Sequence, residues 1–127
     1  MNPKQEYKKL INSFKYAIEG IISSFKTERN MKIHVLATIV VVVLGFFFKL
    51  NKGEWCFVIV AIICVISAEL FNTAIETVVD MISPERNPKA KLVKDIAAGA
   101  VLVMAIGSAI IGFIVFGPKV INLFLNN

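Results

Sequence analysis

AELFNTAIETVVD, residues 68–80, is the stretch on which the reading of this chain turns. Glu69, Asn72, Glu76 and Asp80 stand in it at intervals of three, four and four residues. At about 100° per residue a helix gathers all four on one stripe. The residues just upstream, WCFVIVAIICVIS (55–67), are almost wholly apolar, so the stripe is expected at one end of a membrane-length helix. Ionisable groups in such a helix are costly, and their presence marks a functional site by default.

Working outward, 127 residues suffice for one small domain. The composition is 57% hydrophobic with a mean hydropathy of +0.73, above the roughly 45–50% of soluble domains. The excess falls in three runs, which implies an all-α integral membrane protein. The expected spans are residues 33–48, 55–81 and 93–117, separated by the turn KLNKG (49–53) and the proline-bearing loop SPERNP (83–88). Trp55 is expected at interface depth. Residues 2–26 read as an amphipathic surface helix, with Tyr7, Leu10, Ile11, Phe14, Ile18 and Ile21 on the apolar face and lysines beside them. Gly20 weakens the middle of such a helix, which points to a close approach of another backbone or of a ligand. The first thirty residues lack a continuous apolar core, so no cleavable signal peptide is expected.

The net charge of +5 is unevenly distributed. Seven Lys and Arg precede the first span and four lie around the second loop, against two in the first turn and one in the tail. The positive-inside rule then puts the N-terminus and the second loop in the cytoplasm. This places Glu28, Glu76, Asp80, Glu85, Lys94 and Asp95 on the side where ATP is found. Anionic headgroups or a phosphorylated ligand suit this charge better than nucleic acid, since no aromatic-interleaved basic run is present. Cys56 and Cys64 sit eight residues apart in one helix. About 12 Å of rise separates them, too far for a disulfide within the chain.

The chemistry follows from residue type and position. Glu69, at headgroup depth, is a candidate general base for a lipid hydroxyl. Asn72, one turn on, can orient it or hold a substrate oxygen. Glu28 and Glu76 offer the hard oxygen ligands that Mg²⁺ takes together with phosphates and water, provided that the surface helix folds back on the second span. Lys94, beside Asp95, can neutralise phosphate charge. His34 is expected to be an interface or packing residue. Ala97, Ala98, Gly107, Ser108 and Gly112 make the third span rich in small residues that allow close helix packing. There is no GxxxxGK[ST] loop, no GxGxxG and no kinase-type HRD or DFG set. A small proton-coupled transporter also uses a buried glutamate, but does not need the carboxylate cluster or the basic loop. A non-catalytic assembly subunit is favoured only by the small-residue helix.

AELFNTAIETVVD, the loop after it and AKLVKDIAAGAVL (90–102) together resemble the prokaryotic diacylglycerol kinase family. The match extends to SFKYAIEGI (13–21) and TERNMKIH (27–34), and covers residues 13–114. TERNMKIH and the SPE-x-x-P loop are most similar to the Gram-positive undecaprenol kinase branch. The resemblance implies a homotrimeric kinase of the bacterial cell membrane, using MgATP, with active sites between subunits. Undecaprenol is the expected acceptor and diacylglycerol the alternative. By resemblance Glu69 is the base and Glu28 and Glu76 hold the metal. Lys9, Tyr16, Glu85, Arg86, Asn87, Lys94 and Asp95 surround the nucleotide. Asn72, Ala98 and Gly20 contribute to the lipid and active-site walls. Arg86 and Asn87 stand where many relatives have Tyr-His, and Lys9 lacks the bidentate grip of an arginine.

Overall fold

The computed structural model describes residues 2–125. Four helices follow one another: α1 (Pro3–Thr27), α2 (Arg29–Phe47), α3 (Lys52–Ile82) and α4 (Pro88–Leu125). The last three are long and apolar enough to cross a membrane, with mean hydropathies of 2.0, 2.3 and 2.5.

Local chemistry sets the helix ends. Asn2 caps α1: its side chain accepts from the Lys4 N–H at 3.2 Å, while Gln5 reaches back to the Asn2 N–H at 3.3 Å. Pro3 at the first helical position loses no bond there. A single extended residue, Glu28 (φ −96°, ψ 122°), separates α1 from α2. The sequence suggested a polar break over residues 27–30 and a span starting at residue 33. The helix instead takes up Arg29, Asn30 and Met31, because polar side chains do not by themselves stop a helix.

At the other end of α2, Lys49 turns the chain with φ 51°, and the Leu50 N–H closes back on the Gly45 carbonyl at 3.0 Å. Asn51 then caps α3 reciprocally with Glu54, through bonds of 2.9 and 2.8 Å. The helix therefore opens at Lys52 rather than at residue 55. Trp55 packs on the bare backbone of Gly45 and lies 5.0 Å from the Phe46 ring. A small core of Leu50, Val58 and Val115 gathers here with Val41, Ile62 and Phe116 around it. Glu54 pairs with Lys119 at 3.0 Å, tying the start of α3 to the end of α4.

α3 and α4 form the main helical hairpin. Asn87 starts α4 by accepting from the Lys89 and Ala90 N–H groups. α4 begins five residues before the expected span and does not stop at Gly117–Pro118 but runs on to Leu125. Proline removes one i→i−4 bond and crowds the carbonyl four residues back, yet the residues around Pro118 remain helical. Ser108 donates to the Ala61 carbonyl at 3.2 Å, so this small residue joins α4 to α3 of the same chain. Gly107 and Gly112 have open space where a Cβ would stand, so neither is a close contact between the chain's own helices. Large apolar side chains such as Phe46, Phe71 and Phe113 are exposed along the outer faces, more apolar surface than water tolerates on a monomer.

Candidate functional site

The stripe on α3 is graded by burial. Glu69 is 1% exposed, Asn72 is buried, Glu76 is half-buried and Asp80 is exposed. The expected descent from a sheltered carboxyl to wet ones is present. The state of Glu69 is unusual: neither carboxyl oxygen has a hydrogen-bond partner among the described residues, and the same is true of Asn72 Oδ1. Buried polar atoms are almost always paired, so three orphans within one helical turn mark a place built for something other than stability. The Asn72 amide donates to Glu76 Oε1 at 3.4 Å, linking two members of the stripe. Thr73 donates back to the Glu69 carbonyl at 3.0 Å.

α1 reaches this stripe through Ser24. Its hydroxyl is buried and lies 3.3 Å from the Thr73 hydroxyl on α3. This contact folds the first helix onto the third, the condition on which a meeting of Glu28 and Glu76 depended. Between the two helices lies a cavity of about 730 Å³ lined by Gly20, Ser24, Glu28, Leu70, Thr73 and Thr77. Gly20 has nothing within 4 Å of a Cβ position, so no backbone of this chain approaches it; the glycine borders an open cavity instead. Glu76 and Glu28 are the two charges close enough to act on the Glu69 carboxyl. The Thr27 hydroxyl donates to Glu28 at 3.3 Å.

His34 also belongs to this neighbourhood. Its Nε2 lies 3.9 Å from Glu69 Oε2, so the residue expected to serve in packing packs against the buried acid. No periodicity points to this contact, because it depends on how α2 crosses α3. Ser24 and Thr73 were missed as well; the one available signal was hydroxyls on the inner faces of two helices expected to meet.

A second group gathers at the loop between α3 and α4. Glu85, Arg86, Asn87 and Lys94 line a cavity of about 710 Å³ with Asp80 and Lys91. Lys94 is held by Asp80, the last residue of the stripe, and Lys91 by Asp95. Thus Lys94, a candidate phosphate partner, is tied to the same helix as Glu69. The remaining candidates are not drawn in. Lys9, Tyr16 and Asp95 are exposed, and Ala98 is exposed beside buried Ala97. No group of three or more His, Cys, Asp or Glu forms a complete metal cage among the described residues.

The chain is thus a membrane-type helical hairpin with a sheltered acid, Glu69, one residue before Leu70 of the cavity that Glu28 borders. Residues 15–116 match the family described as prokaryotic diacylglycerol kinase. The chain belongs to that family of lipid kinases. It is 42% identical over 116 residues to the undecaprenol kinase of Bacillus subtilis (strain 168), covering 91% of this chain and 94% of that protein. It is 34% identical to a diacylglycerol kinase of Synechocystis sp., over 91% of this chain and 67% of that one. A diacylglycerol kinase of Haemophilus influenzae is 35% identical, over 74% of this chain and 80% of its own.

Proposed function

We propose that this chain phosphorylates the hydroxyl of undecaprenol, using ATP at the cytoplasmic face of a bacterial membrane and working as a homotrimer. The observation that carries the reading is the pair of unpartnered oxygens on fully buried Glu69. A carboxylate without a hydrogen-bond donor is free to accept the proton of an incoming alcohol. The lipid hydroxyl reaches Glu69 from the bilayer and gives up its proton. Its oxygen then attacks the γ-phosphorus of ATP in line with the leaving oxygen, and ADP departs. Asn72, with its own carbonyl oxygen unpaired, orients the acceptor.

The donor set fits a divalent ion. Glu28, at the joint between α1 and α2, and Glu76, on α3, are two oxygen ligands, both half-buried and both acting on the Glu69 carboxyl. Mg²⁺ prefers such a pair, completed by phosphate and water, to a closed protein cage. Glu28 and Glu76 would hold the ion, and when bound it neutralises phosphate charge. Lys94 and the loop residues Glu85, Arg86 and Asn87 receive the nucleotide, with Lys9, Tyr16 and Asp95 supplied toward a site shared between protomers. Positioning and charge neutralisation give most of the acceleration in such a transfer. The first helix lies on the membrane surface with its lysines near lipid phosphates, and the basic loop shares its side by the positive-inside rule.

The test is a competition in mixed micelles. The purified chain receives ATP labelled in the γ-phosphate, Mg²⁺, undecaprenol and diacylglycerol together. Labelled undecaprenyl phosphate is the expected main product. Predominance of phosphatidic acid overturns the acceptor assignment, and absence of any labelled lipid overturns the kinase reading.

A further inference from the structure

The reaction assigned to Glu69 leaves a proton on a carboxyl that has almost no contact with solvent. The side chain is 1% exposed, so the proton needs a carrier before the next turnover. Among the described residues, His34 alone brings a basic nitrogen within 4.0 Å of either Glu69 oxygen, at 3.9 Å from Oε2. Its side chain is 20% exposed on the surface of the chain and stands five residues after the polar start of α2 at Arg29. We propose that His34 is a positioning residue that acts through Glu69: its Nε2 takes the proton delivered to the carboxyl and passes it outward, restoring the carboxylate.

The balance is simple. The lipid O–H bond breaks as the O–P bond forms, and the proton goes to Glu69. The Glu69 O–H bond then breaks as an Nε2–H bond forms, and the opposite ring nitrogen releases a proton to water. No oxidant or further reactant is required. A gap of 3.9 Å exceeds a hydrogen bond, but catalytic contacts are commonly long before substrate is bound. The imidazole has open space on one side. It borders a cavity of about 330 Å³ between α2, α3 and α4, whose other lining residues, among them Thr38, Val41, Ile62 and Ser108, do not titrate. The groups that do titrate around the pair are Glu69 itself and, acting on it, Glu76 of α3 and Glu28 at the α1–α2 joint. All three are acids. Among the described residues His34 is the one base within 4.0 Å of the Glu69 carboxyl, and an imidazole is the side chain best suited to carry protons near neutrality.

The inference rests on the kinase reading, and the experiment separates the two. Lipid phosphorylation by the wild-type chain is measured beside His34→Ala and His34→Gln, with nucleotide affinity followed by an ATP analogue as a check on folding. A wild-type chain that makes no lipid phosphate removes the kinase reading. With an active wild type, both variants are expected to lose at least tenfold in kcat, with KM for ATP within twofold. Free imidazole should restore much of the loss in His34→Ala, since the cavity can admit it, and little in His34→Gln. The fall in the pH–rate profile on the acid side should also change shape. A kcat within twofold of wild type in His34→Ala overturns the proposal, as does a loss that imidazole does not restore. An independent reading comes from nitrogen NMR of the His34 ring, whose titration should shift in Glu69→Gln; an unmoved titration counts against the contact.

Discussion

The two ends of α3 are built on opposite terms. At the Lys52 end every device of a folded protein is present: a reciprocal cap between Asn51 and Glu54, Trp55 seated on Gly45, the Leu50–Val58–Val115 core and the Glu54–Lys119 pair. At the Ile82 end the best-buried side chain is an acid with no partner, followed by a half-satisfied asparagine. The first end holds the helices together, and the second leaves polar groups unpaired at a cost of about 1–3 kcal/mol for each buried one. Stability is therefore concentrated at the end remote from the stripe, and substitutions at the two ends should separate cleanly into effects on folding and effects on turnover.

The sharpest break in that contrast would come from Glu69→Gln. It is expected to reduce turnover by about a hundred- to ten-thousandfold, while thermal stability in detergent stays level or rises, because a neutral amide costs less to bury than a group that can carry charge. Near-normal turnover would remove Glu69 from the base role. Next come Glu28→Gln and Glu76→Gln. Each should move the Mg²⁺ dependence of the rate to higher concentration with little change in melting temperature, and an unaltered metal titration would refute the ligand assignment.

At the opposite end the order of effects reverses. A Cβ on Gly45 would stand 2.6 Å from the Trp55 ring and 3.2 Å from Leu50. Gly45→Ala should therefore lower stability by about 1–3 kcal/mol, read from thermal unfolding in micelles, and the turnover of the folded fraction should be preserved. Lys49→Gly is the smallest change. It relieves a left-handed backbone at φ 51° and should raise stability by about 1 kcal/mol or less. A loss of stability there would mean that the lysine side chain contributes more than its backbone costs.

Much of this division was legible in the sequence. Hydropathy alone located three apolar runs, and the three-four-four spacing of Glu69, Asn72, Glu76 and Asp80 put them on one face. The gradient of burial along that face depends on the helices packed against it, with Glu69 1% exposed beside His34 of α2. What the sequence withheld depended on how helices meet. His34 and Glu69 are 35 positions apart, and no periodicity links them. Ser24 and Thr73 meet only because α1 folds back. Boundaries shifted for a simpler reason: apolarity ends where water begins, whereas a helix ends where its backbone bonds run out. Hence α4 passes through Pro118 to Leu125, and α2 starts among polar residues.

One residue alone interrupts the helical path from Pro3 to Phe47, and it is Glu28. A joint and a carboxylate thus share a single pair of backbone torsions. Any tilt of the leading helix, which the Ser24 hydroxyl latches to Thr73, must be absorbed at that pivot and will swing the acid along with it. Whatever moves the first 25 helical residues therefore also decides where this carboxylate points.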